Sequence, residues 1–345
     1  MAAPDAGHAP SDPARIRRDV AVLASEPRSR RHAPKAMERA EAYVAEELTV
    51  AGWQVHREPF EVRGRLGSSD DHGHQARPLK VRFHRRLAGV NLRAELPARV
   101  ASSPAGRTIL VGAHLDTVVG SPGADDNASG VAVVLEVARI LGSLPEPPGV
   151  TLMIFDMEEV GLIGSREAAR RLARAHRVRG MICLESVGNF SSEAGSQRLP
   201  PGAGRAFPTA AAAVRAADHR GDFTLVVHRE SSLEAAEEFS RAAAEASPSL
   251  RTVLLRDPRP DGTLGAVIGL AVPALLHLGR SDHASFWNRG VPALMLTSTA
   301  NFRNRHYHQP TDTPDTLDYD LLASVATATA LTARAWSRAV AVRTR

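Results

Sequence analysis

The chain has 345 residues, a formal net charge of +5, one cysteine and 4% aromatic residues. This length is sufficient for a large buried core in one or two domains, and no apolar run reaches the roughly 18 residues that a membrane-spanning helix needs. No nucleic-acid partner and no membrane partner is expected, because the arginines alternate with acids and few aromatic residues are available for stacking on bases.

The N-terminus, residues 1–12, is predicted to be a loose tail because it is small, polar and proline-containing. The first twenty residues contain no apolar stretch of the kind found in a secretion signal. The lone Cys183 cannot form an internal disulfide, which fits a reducing compartment. We therefore expect a cytoplasmic protein, with export by another route as the alternative.

A helix-and-strand segment, residues 13–98, is predicted to come before an α/β core, residues 99–345. A helix is expected from Pro34 to Leu48, since helix-forming residues there place apolar side chains on one face and Gly52 follows. Next in the chain, we predict a strand at 53–62, a flexible loop from Arg63 to Arg77, and strands at 79–85 and 89–96.

From residue 107 onward, apolar strands alternate with amphipathic helices. Strands are predicted at 107–114, 149–157, 180–186, 222–228, 273–278 and 292–298. Helices are predicted at 128–141, 165–176, 233–246 and from about Asp318. This alternation predicts an α/β fold, a single globular domain whose mostly parallel central sheet is flanked by helices on both faces. The irregular interval Asn189–His219 is expected to be either a loop or lid over the carboxyl end of the strands or a surface excursion.

Acidic and imidazole side chains follow several of these strands. They are His114 and Asp116, Asp125 and Asp126, Glu158 and Glu159, Glu185, and finally His306 and His308. Each group alone is typical of a hydrogen-bonded pair, a helix cap or a solvated surface. Because the carboxyl ends of parallel strands meet at one edge, and grouped carboxylates repel without cations between them, the combination predicts a metal site. Imidazole and carboxylate ligands together suit zinc.

Six motifs occur in a fixed order between about Gly89 and Asp320: HLDT, SPGADDNASGVAVVLEVARIL, FDMEEVGLIGS, LES, SDHASFW and YHQPTDTPDTLD. Together they resemble the co-catalytic di-zinc aminopeptidase family, which includes bacterial leucyl aminopeptidases and, more distantly, glutamate carboxypeptidase II and glutaminyl cyclase. The resemblance implies a zinc-exopeptidase-like domain with two divalent metal ions, for which Zn²⁺ is the expected metal.

The resemblance also implies which residues bind these ions. Asp126, Glu159 and His308 would bind one ion. His114, Asp126 and Glu185 would bind the other, so that Asp126 bridges the two and is followed by a cis peptide bond to Asn127. Asp116 would hydrogen-bond the far nitrogen of His114 and fix its tautomer.

Catalytic roles follow from the same resemblance. Glu158 would be the general base that takes a proton from the metal-bridging water and passes it to the leaving amine. Tyr307 would stabilise the oxyanion, because Leu278 stands where some members have the tyrosine that does so. The remaining candidates are expected to be structural or at the surface: Asp125, Asp282, His283, His306, His72 and His74.

The sequence therefore favours a metal-dependent exopeptidase, an aminopeptidase that hydrolyses N-terminal peptide bonds of substrates with a free N-terminus. Its pocket for the first side chain is expected near Asn189–His219 or Phe286. A di-zinc dipeptidase or carboxypeptidase is an alternative, in which Arg280 or Arg303 would bind a terminal carboxylate unless they are surface residues. Nothing in the sequence indicates an oligomeric state.

Three further functions fit the motifs less well. An N-acyl amino acid deacylase normally has a longer gap between the His-X-Asp and the bridging Asp, and a separate dimerisation domain. A single-zinc glutaminyl cyclase would not require the complete set of five ligands. A catalytically silent binding module on this fold would have lost ligands that this chain retains.

Overall fold

The structure, a computed structural model, describes residues 11–68, 81–97, 107–146, 148–175, 177–271 and 273–338. The strands are β1 Gln54–Ser68, β2 Val81–Glu95, β3 Thr108–His114, β4 Val150–Phe155, β5 Val178–Glu185, β6 Phe223–His228, β7 Arg251–Arg256 and β8 Ala293–Thr297. The helices are α1 Pro13–Leu23, α2 Pro34–Val50, α3 Gly130–Gly142, α4 Ile163–Arg174, α5 Ala203–Ala206, α6 Pro208–Ala216, α7 Leu233–Ala246, α8 Thr263–Ala271, α9 His283–Trp287 and α10 Tyr319–Arg338.

All eight described strands form one sheet, in the order β1-β2-β4-β3-β5-β8-β6-β7. The four central strands β4, β3, β5 and β8 are parallel to one another. The pairs β1–β2, β2–β4 and β6–β8 are antiparallel, so the sheet as a whole is mixed. The predicted α/β fold is confirmed, and its parallel character is strongest at the centre of the sheet.

Helices cover both faces of the sheet, and the residues of β5 show how. Ile182 and Leu184 lie in a buried cluster that also contains residues of α3, α7 and α10. Met181 and Cys183 lie in a second buried cluster with residues of α4 and α9. Because successive strand side chains point to opposite faces, a strand covered on both sides is apolar at every position. This is why the central strands could be predicted from continuous apolar runs.

The N-terminal segment adds to the same sheet, because residues 92–95 of β2 pair with β4. The helix α1 was not predicted; it begins at Pro13, where the side chain of Asp12 accepts a hydrogen bond from the Ala14 N–H. The predicted tail falls mainly on residues 1–10, outside the described residues. The predicted boundary between residues 98 and 99 falls within residues 98–106, which are likewise not described.

The strands β1 and β2 are each fifteen residues long and form a long ribbon of fourteen residue pairs. The predicted end of the first strand at residue 62 was wrong, since β1 continues to Ser68, and the two predicted strands at 79–85 and 89–96 form the single strand β2. Frequent exposed arginines conceal the alternation that identifies a strand. Residues 69–80, with His72 and His74, lie outside the described residues.

Other differences concern short segments near the β6–β7 edge. The apolar run at 273–278, predicted as a strand, is a 3₁₀ turn at Pro273–Gly279, whereas β7 and α8 were not predicted. The interval Asn189–His219 contains the short helices α5 and α6. Short apolar runs do not distinguish a strand from a helical turn by periodicity, which explains these errors.

The terminal helix α10 begins at Tyr319, close to the predicted start at Asp318, and its 20 residues make it the longest described helix. It packs against α3 and α7 on one face of the sheet. Its buried Thr329 and Thr332 donate their hydroxyl hydrogens to carbonyls one turn earlier. Within the described part of the chain, no helix has both the length and the apolar character to cross a membrane.

The core placement of β3 can be tested with two leucines. Leu110 is fully buried in β3, whereas Leu264 in α8 is 64% exposed. We expect Leu110→Ala to lower the free energy of unfolding by about 2–5 kcal/mol, because it leaves a cavity. Leu264→Ala should change it by less than about 0.5 kcal/mol. Urea unfolding measures both, and equal effects would contradict the burial of β3.

Candidate metal centre

The five predicted metal ligands come together at the carboxyl ends of the central strands. His114 is the last residue of β3 and Glu185 the last of β5, while Glu159 follows β4. Asp126 lies in the turn before α3, and His308 in the loop before α10. Since β4, β3 and β5 are parallel neighbours, their carboxyl ends bring these side chains to one edge of the sheet.

The five side chains form two clusters that share Asp126. His114 Nε2 lies 3.3 Å from Asp126 Oδ1 and 3.4 Å from Glu185 Oε2. His308 Nε2 lies 3.0 Å from Asp126 Oδ2 and 3.5 Å from Glu159 Oε1. Within each cluster the potential ligand atoms lie within 4.8 Å of one another. The two carboxylate oxygens of Asp126 thus face different imidazoles, as a bridging ligand requires.

The protonation of His114 shows why a cation fits here. Its Nδ1 lies 3.0 Å from the backbone carbonyl oxygen of Asp116, which can only accept a hydrogen bond, so Nδ1 carries a proton in the neutral ring. The lone pair of Nε2 then points toward the carboxylates of Asp126 and Glu185. Among the described residues, buried His114 Nε2 and both carboxylate oxygens of Asp126 make no hydrogen bond. A divalent ion that accepts nitrogen and oxygen ligands would satisfy these atoms.

The carboxylates change the pKa values of both imidazoles. Burial lowers the pKa of His114, but Asp116, Asp126 and Glu185 outweigh it and hold that pKa well above its usual value. Burial also lowers the pKa of His308, yet the carboxylates of Glu159 and Asp126 raise this pKa to about 10. Without metal, the histidines therefore hold protons where cations would lie, and metal binding must release protons.

Asp116 differs from the expectation. Its carboxylate oxygen Oδ1 is 3.6 Å from His114 Nδ1, too far for a hydrogen bond, and the backbone carbonyl makes that contact instead. The carboxylate accepts the backbone N–H groups of Glu158 and Glu159, at 3.0 and 3.1 Å. Asp116 therefore fixes the His114 tautomer through its backbone and positions the Glu158–Glu159 turn through its side chain.

The turn that carries Asp126 contains the expected cis peptide bond to Asn127. The side chain of Asn127 donates a hydrogen bond to the Leu184 carbonyl and accepts one from the Ser186 N–H, which ties the turn to the end of β5. Asp125 is buried and accepts hydrogen bonds from the Gly188 N–H and the Asn304 side chain, consistent with the expected structural role.

Glu158 and Tyr307 lie beside these clusters with pKa values that suit proton handling. Burial raises the pKa of the half-buried Glu158 carboxyl well above its usual value, and Glu159 and Glu185 act in the same direction. The Tyr307 ring stacks on the His308 imidazole, with ring centroids 3.8 Å apart. Burial raises the pKa of the Tyr307 hydroxyl well above 10. The hydroxyl therefore stays protonated and can donate a hydrogen bond.

The two arginines considered for carboxylate binding have different positions. Arg303 is buried, donates hydrogen bonds to the Gln197 side chain and the Asn189 carbonyl, and lies over the Phe223 ring. Through the contacts with Gln197 and Asn189, Arg303 anchors the 189–219 interval. Arg280 is exposed at the mouth of a cavity beside Tyr307.

The other side chains of the SDH and YHQ motifs differ in their surroundings. His283 bonds the Leu278 carbonyl through Nε2 and packs edge-on against Trp287, whereas His306 is partly exposed and contacts the Thr311 hydroxyl. Asp282 is fully buried, and among the described residues neither of its carboxylate oxygens makes a hydrogen bond. The structural or surface roles expected for these three residues stay predictions.

A cavity of about 380 Å³ opens next to Glu185 and Tyr307. Its apolar lining combines the 189–219 interval with the β6–β7 edge of the sheet, through Leu199, Phe207, Val214, Phe223, Val253 and Leu255. The interval thus forms a wall of the cavity. Phe286, the other candidate for a pocket, is fully buried against Phe155 and does not line the cavity. Val253 and Leu255 were missed because β7 was not predicted.

Comparison with known proteins adds a family and a fold. A family model described as peptidase family M28 matches residues 91–234 and 269–333. Uncharacterized protein YfbL of Escherichia coli K12 is 34% identical over 232 residues, 64% of each chain. Aminopeptidase YwaD of Bacillus subtilis is 40% identical over 74 residues, 21% of this chain and 16% of its own length. The chain thus spans less than two thirds of these relatives.

A solved structure resembles the whole described fold. BSAP, a zinc aminopeptidase from Bacillus subtilis, superposes with a TM-score of 0.64 and 16% identity, and the match covers 94% of both chains. At this level of identity the similarity concerns the arrangement of helices and strands.

The shared position of Asp126 predicts a specific pattern of metal loss. We expect the purified protein to bind two zinc ions, and Asp126→Ala to lose both because it removes the shared ligand. Glu185→Ala should lose one ion, because the Asp126–Glu159–His308 cluster stays complete. Elemental analysis after zinc loading and desalting measures the content. The exposed Glu230→Gln is the control, and full zinc content in Asp126→Ala would contradict the bridging geometry.

Proposed function

This chain belongs to peptidase family M28, and from that premise we propose that it is a zinc-dependent aminopeptidase that hydrolyses the first peptide bond of its substrates. The observation that carries the proposal is the pair of ligand clusters sharing Asp126, with Glu158 and an apolar cavity beside them. The names of two relatives, aminopeptidase YwaD and the zinc aminopeptidase BSAP, support the same activity.

In the proposed site, Asp126, Glu159 and His308 would hold one zinc ion, and His114, Asp126 and Glu185 would hold the other. The two ions would supply Lewis acidity, which makes a water easier to deprotonate and polarises a carbonyl. His114 and His308 would release their added protons when the ions bind. The Glu158 carboxyl group, with less negative charge around it, would then ionise more readily.

Glu158 moves the proton during hydrolysis. Its carboxylate accepts a proton from the attacking water and passes it to the nitrogen of the leaving amine. The Asp116 carboxylate accepts hydrogen bonds from the N–H groups of Glu158 and Glu159, and these bonds hold the base next to a metal ligand. The protonated Tyr307 hydroxyl donates a hydrogen bond to the oxygen that becomes negative as the water attacks.

The free N-terminus and the first side chain of the substrate have separate binding partners. The carboxylate of Glu185 lines the cavity, and the acidic side chains around it attract the α-ammonium group of a peptide. The cavity next to Glu185 and Tyr307 takes the first side chain, and its apolar lining favours large apolar residues.

Dipeptidase or carboxypeptidase activity is the second candidate, and the position of Arg280 is the observation that favours it. Arg280 lines the cavity mouth, and its guanidinium contacts the Asn301 side chain at 3.4 Å. In the part of the chain that is described, no carboxylate forms an ion pair with it. A substrate carboxylate would therefore find a cation there.

The predicted cytoplasmic location and the absence of a nucleic-acid partner stay predictions.

The role of Glu158 is tested with Glu158→Gln, which keeps the size of the side chain but removes the base. We expect kcat on leucine p-nitroanilide to fall about 10²–10⁴-fold while two zinc ions stay bound. Glu230→Gln is the matched surface control. Full activity of Glu158→Gln would show that another group is the base. A zinc-loaded wild type inert on free-amine, N-acylated and C-terminal substrates would refute the peptidase proposal.

The role of the cavity is tested by filling it. Ala206 is exposed at the end of α5 and lines the cavity, whereas Ala212 on α6 is exposed but does not. We expect Ala206→Trp to lower kcat/KM for phenylalanine p-nitroanilide about tenfold or more, with little change for alanine p-nitroanilide. Ala212→Trp should leave both unchanged. A loss of equal size on both substrates in Ala206→Trp would contradict the assignment.

A further inference from the structure

We propose that Arg28 and Asp312 form a hydrogen-bonding clamp that holds the turn at residues 122–126 from opposite sides and so positions the bridging carboxylate of Asp126. The proposal rests on the proposed metal site, but neither residue belongs to the ligand sets or touches the substrate in that site. Both are positioning residues. Nothing in the sequence pattern separated them from surrounding polar residues.

Arg28 binds the carbonyl side of the turn. Its guanidinium is fully buried and donates to the carbonyls of Pro122 at 2.7 Å and Gly123 at 3.0 Å. It also donates to the Leu115 carbonyl at 2.8 Å, directly after β3, and to the Leu23 carbonyl at the end of α1. One side chain thus joins α1, the segment that follows His114, and the turn that leads to Asp126.

The backbone of Arg28 adds to this connection. Its N–H donates to the Thr117 hydroxyl at 2.9 Å, and its carbonyl accepts the Thr117 N–H at 2.7 Å. The arginine is therefore held in place by the same segment that its guanidinium binds. A fixed donor group of this kind restrains the carbonyls that it contacts.

Asp312 binds the N–H side of the same turn. Its two carboxylate oxygens accept the backbone N–H groups of Asp125 at 3.0 Å and Asp126 at 3.1 Å. Its backbone carbonyl accepts the N–H of Ala124 at 3.1 Å. Asp312 is fully buried and follows the metal-ligand candidate His308 by four residues. It therefore connects the His308 loop to the backbone of the bridging ligand.

The turn between these two residues has little room to adjust. Gly123 has a φ of 62°, and a Cβ at this position would lie 2.3 Å from the Asp126 carbonyl oxygen and 2.4 Å from the Thr117 side chain. The Asp126 carboxylate oxygens, in contrast, make no hydrogen bond among the described residues. The carboxylate is thus aimed by its backbone, and the clamp fixes that backbone.

Charge gives the clamp a second effect. The Arg28 guanidinium contacts only carbonyl oxygens in the described structure, and burial lowers its pKa to about 10, so it stays cationic at neutral pH. The acids that act on it are Asp312, Asp116 and Asp126. A buried cation that acts on these acids offsets part of the repulsion among them in the metal-free protein.

The test measures zinc affinity by competition with a chromophoric chelator in Arg28→Met, Arg28→Lys, Asp312→Asn and the double variant Arg28→Met/Asp312→Asn. We expect each removal of a clamp residue to weaken zinc binding about 10–100-fold, as for other groups that orient metal ligands. Arg28→Lys keeps the charge but loses the planar fork, so its affinity should fall between wild type and Arg28→Met. Because both residues hold one turn, the double variant should lose less than the product of the two single losses.

Arg229→Met is the matched control. Arg229 is also buried, donates hydrogen bonds to Asp257 and the Pro260 carbonyl, and lies over the Trp287 ring, and none of these partners is a metal-ligand candidate. We expect it to lower the thermal midpoint of the metal-free protein without changing zinc affinity. If Arg28→Met does not fold, Asp312→Asn and Arg28→Lys still carry the measurement.

Wild-type zinc affinity in folded Asp312→Asn and Arg28→Lys would overturn the clamp, as would strictly additive losses in the double variant. An equal loss of affinity in Arg229→Met would overturn it too, because general destabilisation would then explain the result. A wild type that binds no zinc would refute the metal site together with the clamp. A wild type that binds two zinc ions but cleaves no peptide would refute only the proposed activity.

Discussion

The carboxylate of Asp126, shared between two imidazoles, is the group on which the rest of the site depends. Its two oxygens lie 3.3 Å from His114 Nε2 and 3.0 Å from His308 Nε2. Buried anions of this kind are unfavourable without partners, so the surrounding structure must supply cations and a rigid backbone. The order of the central strands and the contacts of Asn127 both serve to place this one group.

Much of the site could be predicted because its residues directly follow apolar strands. His114 and Glu185 each end a continuous buried run, and the rule that parallel strands end at one edge brings them together. The meeting of Asp126 with His308, which are far apart in the chain, came only from the resemblance to a known family. The carboxylate of Asp116 binds two backbone N–H groups, a detail that depends on turn geometry and not on residue type.

The parts that could not be predicted depend on tertiary packing. The strand β7 and the turn at 273–279 are short apolar segments whose conformation is decided by neighbouring elements, so the cavity wall with Val253 was missed. Arg28 lies in an arginine-rich stretch, and only the structure separates it, at 1% exposure, from the half-buried Arg30 and Arg31. The net charge of +5 likewise concealed a local excess of acids.

The ribbon of β1 and β2 has a consequence for how the protein folds. Val62 and Leu87 pack against Met157, Val160 and Ile163, in the segment that carries Glu158 and Glu159. These contacts join residues 70 to 101 positions apart, and contacts of such long range form slowly because a large loop must close first. During synthesis, the apolar face of the ribbon has no partner until residues 157–163 have been made. The segment that carries Glu158 therefore cannot reach its final packing until the ribbon lies against it.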